Sequence, residues 1–153
     1  GELFRKAELD RQAGLESIYT RSASVAEWLL SDPQEVRVLH GDIHHRNIRQ
    51  SSRGWLAFDP KGLVGERTYD CANTLCNPVI TELVHNETRL LTNAAILAET
   101  LKLDLQRILA FTFAYACLNA SWWLLPKNSP EADSIVDWHL KVANIIEPHL
   151  KLQ

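Results

Sequence analysis

Nineteen consecutive residues, Ile108 to Pro126, carry no charge (ILAFTFAYACLNASWWLLP). A run of that length approaches what a bilayer-spanning helix needs, so the chain must either cross a membrane or build itself around this segment. Thr112, Asn119 and Ser121 interrupt the apolar run. Its flanks, Asp104, Arg107 and Lys127, show no one-sided basic cluster of the kind that orients a membrane helix. The segment is therefore expected to be a central helix buried by its neighbours, with no membrane partner. No basic stretch followed by an apolar core opens the chain, so no secretory signal is read there.

The elements that could bury such a helix are legible. Leu15, Ile18, Tyr19, Ser22, Val25, Ala26 and Leu29 recur at three- and four-residue steps, predicting a helix over 2–31 that is broken near Gly14 and stopped by Ser31-Asp32-Pro33. Leu90, Leu91, Ala94, Ala95, Leu97, Ala98 and Leu101 predict another over 88–101. Asp104 reads as the N-cap of the uncharged helix, expected from Leu105 to about Leu125. Pro126 to Pro130 reads as a turn, and Glu131 to Ile146 as the last helix. At 153 residues, 46% of them hydrophobic, one domain with a sizeable core is expected. Acidic and basic residues are mixed at a net charge of −3, which leaves no electrostatic footprint for nucleic acid. Cys71, Cys76 and Cys117 form neither an even framework nor a Cys-x-x-Cys pair, so reduced thiols and a cytoplasmic setting are expected.

One stretch has a different grammar. Val36 to Leu39 reads as a short strand that delivers His40-Gly41-Asp42-Ile43-His44-His45-Arg46-Asn47 into a loop, where side chains sit on a rigid support yet stay open to a ligand. Ile48-Arg49-Gln50 and Trp55-Leu56-Ala57-Phe58 then flank Ser51-Ser52-Arg53-Gly54, a polar turn ending in Gly, which is a β-hairpin signal. The second hairpin strand ends at Asp59, so the ribbon returns this carboxylate toward Asp42 and Asn47. Two carboxylates and an amide oxygen suit a hard divalent cation, Mg²⁺ above all. Asp42 is assigned as base or hydroxyl orienter and Asn47 and Asp59 as metal ligands, a sufficient set for phosphoryl transfer, where positioning and charge neutralisation do most of the catalysis. His40, His44 and His45 also offer a zinc reading. A dinuclear metal hydrolase would further need an upstream Asp-x-His and a later Gly-Asn-His, and the chain has neither. Pro60 to Gly65 reads as a loop, with Lys61 placed either to meet phosphate or to stay solvated.

The pattern His40-Gly41-Asp42-x-His44-x-x-Asn47, followed after the hairpin by Phe58-Asp59, resembles the catalytic and metal-binding segments of the aminoglycoside phosphotransferases, relatives of the protein kinases. The run from Gly54 to Gly65, with Tyr69-Asp70 after it, is most similar to the streptomycin 6-kinase and hydroxyurea-resistance branch. The resemblance implies an α+β fold: a protein-kinase-like C-terminal lobe over residues 1–153, mostly helical, with a small β-hairpin carrying the catalytic and metal-binding loops. It implies ATP and Mg²⁺ as cofactors and phosphotransfer to a hydroxyl of a small-molecule aminoglycoside of streptomycin type. It gives supporting roles to His40, His44 and Asp70, the last tying the helix it begins to the catalytic loop. It also implies an acidic aminoglycoside pocket, for which Glu131, Asp133 and Asp137 are candidates. Those three suit the N-terminal end of a helix on electrostatic grounds as well. The 37 residues before Val38 hold neither a Gly-rich phosphate loop nor a Val-Ala-x-Lys strand, so the nucleotide-clamping lobe is expected outside this chain. Two other functions stay open: a kinase of another small alcohol, and a lone C-terminal lobe that binds a ligand without turnover. The residues assign no oligomeric state.

Overall fold

A computed structural model describes residues 1–124 and 129–151. The first helical stretch is two helices, α1 (Glu2–Gln12) and α2 (Ile18–Ser31), with Gly14 at φ +71° between them. The joint is held by Asp10, which is 4% exposed and accepts from Lys6 Nζ and, at 2.6 Å, from Ser17 Oγ. Ser17 is also the N-cap of α2, where its side chain accepts from Thr20 N and Thr20 returns the bond to Ser17 N.

Four short strands follow: β1 (Val36–Leu39), β2 (Ile48–Ser51), β3 (Gly54–Ala57) and β4 (Leu63–Glu66). They form two separate antiparallel pairs, β1 with β4 and β2 with β3. The hairpin expected over 48–58 is present, in the register Ile48↔Ala57 to Ser51↔Gly54, and its turn is tighter than the expected Ser51–Gly54 because those two residues pair. Ser51 Oγ accepts from Arg53 N at 3.1 Å, and Gly54 takes the positive φ (+96°) that lets the chain re-enter the ribbon. The segment expected as a loop up to Gly65 departs from that reading. Leu63 to Glu66 is β4, in register Val36↔Glu66 to Leu39↔Leu63. The two glycines divide the labour: Gly62 turns at φ +66°, while Gly65 is a strand residue whose missing Cβ would lie 3.4 Å from Leu39 Cδ1. A glycine inside a strand commonly marks such a close approach.

The remaining elements are α3 (Tyr69–Leu75), α4 (Thr81–Val84), α5 (Glu87–Leu101), α6 (Leu105–Trp123) and α7 (Pro130–Ile146). Asp104 caps α6 as expected, its side chain accepting from Arg107 N at 2.8 Å. The turn expected over Pro126–Pro130, and the end of the uncharged helix at Leu125, fall on residues of which 125–128 lie outside the described ones. Helix α6 is the axle of the fold. Ile108, Ala110, Phe113, Ala116, Cys117 and Ala120 are fully buried, and α1, α2, α3, α5 and α7 pack on it. Burial of one large apolar side chain contributes about 1.5–3 kcal/mol, so the cluster around Phe113, Leu75, Leu90 and Ile146 dominates stability. All three cysteines are free and buried. Among the described residues no helix is long and apolar enough to cross a membrane. The observed architecture is therefore α+β: mostly helical, with two small antiparallel ribbons beside the helical core.

Candidate active site

Helix α3 anchors the polar loop from behind. The Asp70 carboxylate accepts from two consecutive backbone amides, His40 N at 2.9 Å and Gly41 N at 2.7 Å. Bonds to a charged acceptor are the strong ones, so this fixes the turn after β1. Gly41 sits there at φ +78°, and a Cβ on it would lie 3.0 Å from Leu63 Cδ1 and 3.1 Å from Lys61 Cβ. Both the backbone angle and the space demand glycine.

His40 joins the loop to the hairpin through a single tautomer. Its Nε2–H donates to Phe58 O at 2.9 Å, leaving Nδ1 to accept from Asp42 N at 3.3 Å. Phe58 N in turn donates to Asn47 O, and Lys61 N to His40 O at 2.7 Å. These four bonds bring the residues before and after the hairpin to one place: Asp42 and Asn47 from one side, Asp59 between Phe58 and Lys61 from the other.

The Asp42 carboxylate is three-quarters buried, with 24% of its side chain exposed. Oδ1 accepts from Asn73 Nδ2 at 3.2 Å and lies 3.5 Å from His44 Nε2; Oδ2 lies 3.4 Å from Lys61 Nζ. His44 Nδ1 accepts from Arg46 N, so its Nε2 carries the proton that faces Asp42. Asn47 is 8% exposed and donates Nδ2 to the Asp42 carbonyl at 2.9 Å. Only the NH₂ side of an amide can make that bond, so Asn47 Oδ1 is turned the other way, and it accepts no hydrogen bond among the described residues. Asp59 is exposed, at φ +60°, and its carboxylate likewise has no partner among the described residues. A non-glycine residue in the left-handed region is backbone strain of the kind that clusters at functional sites.

The uncommitted Asn47 amide oxygen and Asp59 carboxylate are hard donors that fit Mg²⁺. No group of three or more His, Cys, Asp or Glu able to hold a metal is present among the described residues. An ion shared by Asn47 and Asp59 would thus complete its shell from phosphate oxygens and water. Glu131, Asp133 and Asp137 lie exposed on α7, and among the described residues no hydrogen bond or ion pair links them to this loop cluster.

The sequence reading missed Asn73, Asn77 and Thr74. Thr74 Oγ1 donates to Ile43 O at 3.0 Å, and Asn77 Nδ2 donates to Asn73 Oδ1 at 3.1 Å. The signal was available: Asp70, Asn73, Thr74 and Asn77 fall at i, i+3, i+4 and i+7, a polar stripe beside buried Cys71, Ala72, Leu75 and Cys76.

The family described as Aminoglycoside/hydroxyurea antibiotic resistance kinase matches residues 1–125. The chain belongs to this family. It is 40% identical to a streptomycin 3''-kinase of Klebsiella pneumoniae over 121 residues, which are 76% of this chain and 46% of that protein. It is 33% identical to a streptomycin 6-kinase of Streptomyces griseus over 104 residues, 66% of this chain and 33% of that protein. The chain thus spans less than half the length of these curated relatives of the resistance-kinase family. No solved structure matches it.

Proposed function

We propose that the protein carrying this chain transfers the γ-phosphoryl group of Mg-ATP to a hydroxyl of a streptomycin-type aminoglycoside, with this chain as its kinase-like C-terminal lobe. Membership in the resistance-kinase family and the names of both relatives support the reaction class. The observation that carries the reading is the pair of opposed commitments at the loop: Asn47 spends its NH₂ on the Asp42 carbonyl and keeps Oδ1 free, while Asp42 is held through Oδ1 and offers Oδ2.

In this reading Asp42 Oδ2 accepts the proton of the acceptor hydroxyl as the hydroxyl oxygen bonds to the γ-phosphorus and the bond from that phosphorus to the β,γ-bridging oxygen breaks to release ADP, a general-base contribution of about 10²–10⁴-fold. Lys61 leaves its resting pair with Asp42 for the incoming phosphate oxygens, which place a denser negative charge beside it. His40 and Asp70 hold the loop, and His44 donates its Nε2 proton toward the Asp42 side of the site. Asn47 Oδ1 and Asp59 are the residues that would hold Mg²⁺, which when bound neutralises phosphate charge. Glu131, Asp133 and Asp137 offer an acidic face to the acceptor's ammonium groups.

The test is streptomycin phosphorylation by the full-length protein, with Asp42→Asn alongside. Phosphostreptomycin is expected from the wild type, with kcat at least about a hundredfold lower in Asp42→Asn and nucleotide binding little changed. Turnover of another small alcohol with streptomycin ignored moves the protein to another kinase branch. Near-normal kcat in Asp42→Asn removes Asp42 from its role.

A further inference from the structure

Behind Asp42 lies a buried chain of amides to which neither the family pattern nor the proposed reaction assigns a task. Asn73 is 4% exposed, on the loop-facing side of α3. One N–H of its Nδ2 donates to Asp42 Oδ1 at 3.2 Å and the other to the Tyr115 hydroxyl oxygen at 3.0 Å. Its own Oδ1 accepts from Asn77 Nδ2 at 3.1 Å, and the same Nδ2 reaches Asn73 O at 2.9 Å. Three of the four hydrogen-bonding positions of the amide are committed, and each commitment fixes the same orientation. A rotation that turned Oδ1 toward Asp42 would set two oxygens against each other and bring the Asn73 NH₂ against the Asn77 NH₂, donor against donor, so the NH₂ stays on Asp42.

The consequence falls on Asp42. A carboxylate has two equivalent oxygens and a broad torsion about Cβ–Cγ, so an unsupported Asp presents either oxygen over a wide arc. With Oδ1 pinned by a buried donor, Oδ2 is the oxygen left to the exposed Lys61, whose Nζ lies 3.4 Å from it. We infer that Asn73, locked in place by Asn77, is a positioning residue that selects which oxygen of Asp42 meets the acceptor hydroxyl and at what angle. The inference rests on the phosphotransfer reading for its kinetic consequence, but its geometric content stands apart from it.

A bland alternative makes Asn73 merely a satisfied amide of the core. The two differ in a double-mutant cycle. In the full-length protein, Asn73→Ala should lower kcat about tenfold to a hundredfold with the KM for streptomycin and for ATP changed less than about twofold, because an ångström-scale misplacement of a reacting group acts on the transition state. In an Asp42→Ala background the same substitution should cost nothing further, since the group it positions is gone. An equal loss in both backgrounds overturns the inference. Should Asn73→Ala not fold, Asn77→Ala, which loosens Asn73 from behind, should still lower kcat by about threefold to tenfold at constant KM, and an unchanged kcat there is equally fatal. A readout without turnover separates this from the reaction itself: the side-chain amide resonance of Asn73 should shift on Asp42→Ala. A wild type inactive on every aminoglycoside together with that shift sinks the phosphotransfer reading and leaves the positioning intact; an unmoved resonance overturns the positioning even in an active enzyme.

Discussion

The helical half and the ribbon half of the molecule treat apolar side chains in opposite ways. Around α6, Ile108, Phe113, Leu90 and Ile146 have no exposed surface. In the ribbons, Val38 is 79% exposed, Val64 73% and Trp55 70%. One half is a packed core; the other holds its shape by backbone pairing and by a few polar ties to the first, Asp70 to the loop and Arg107 to Glu66 at the end of β4. Glu66 is 5% exposed and accepts from Arg107 Nε and Nη2 and from Gln34 N. Burial acts to raise its carboxyl pKa, yet Arg107 and the Gln34 amide outweigh it and hold the group below the ordinary carboxylate range. The division places stability in the helices and the candidate chemistry on loops they support.

The contrast is most directly broken in the core. Phe113→Ala should cost about 3–5 kcal/mol of unfolding free energy, read by urea denaturation, because it empties a fully enclosed volume. A loss below about 1 kcal/mol would mean that the helices are not the stabilising half. Next comes a tie. Asp70→Ala strips the acceptor from His40 N and Gly41 N, and an unpaired amide costs about 1–3 kcal/mol. Hydrogen exchange should accelerate at those two amides while α6 keeps its protection; acceleration throughout α6 would show that the halves unfold as one.

A third prediction sharpens the helical side by pH. His139, on α7, is held near pKa 4 against an ordinary 6.5, chiefly by burial and then by His85 nearby, and its Nδ1 is buried without a partner among the described residues. As pH falls the unfolded chain takes up the proton first, at its ordinary value, while the folded protein stays neutral at this position until about 4. Stability should therefore drop between those two values at up to about 1.4 kcal/mol per pH unit, and His139→Phe should flatten the decline in denaturation midpoints measured across the window. An identical slope in the variant rejects the assignment. Smallest is Trp55→Thr, expected within about 0.5 kcal/mol of the parent because this aromatic packs on nothing that the core needs.

What could be read in advance follows the same division. The uncharged run had to be a central helix, and Asp104 marked its start because a capping side chain and an apolar period coincide there. The hairpin was legible from its turn. Strand β4 was not, because Gly62 and Gly65 look alike on paper while one turns the chain and the other admits Leu39. In the candidate site, the motif suggested Asp42, Asn47 and Asp59, and the Phe58–Asn47 and His40–Phe58 bonds tie together the segments that carry them. Asn73 escaped because its partner is 31 positions away and helical periodicity says only that it shares a face with Asp70, not what that face meets.

The two ribbons also differ in how they are moored. The β1–β4 pair is fastened at both ends, by Arg107 and Glu66 at one and Asp70 at the other, whereas among the described residues the β2–β3 hairpin is fastened only at its base, with Ser52 and Arg53 exposed at its tip. A protease specific for basic residues should therefore nick the chain first after Arg53, leaving Asn47 and Asp59 on separate fragments that the hairpin base still holds together. The same tip is where a fluorescent or affinity peptide can be spliced in without touching the loop that carries Asp42.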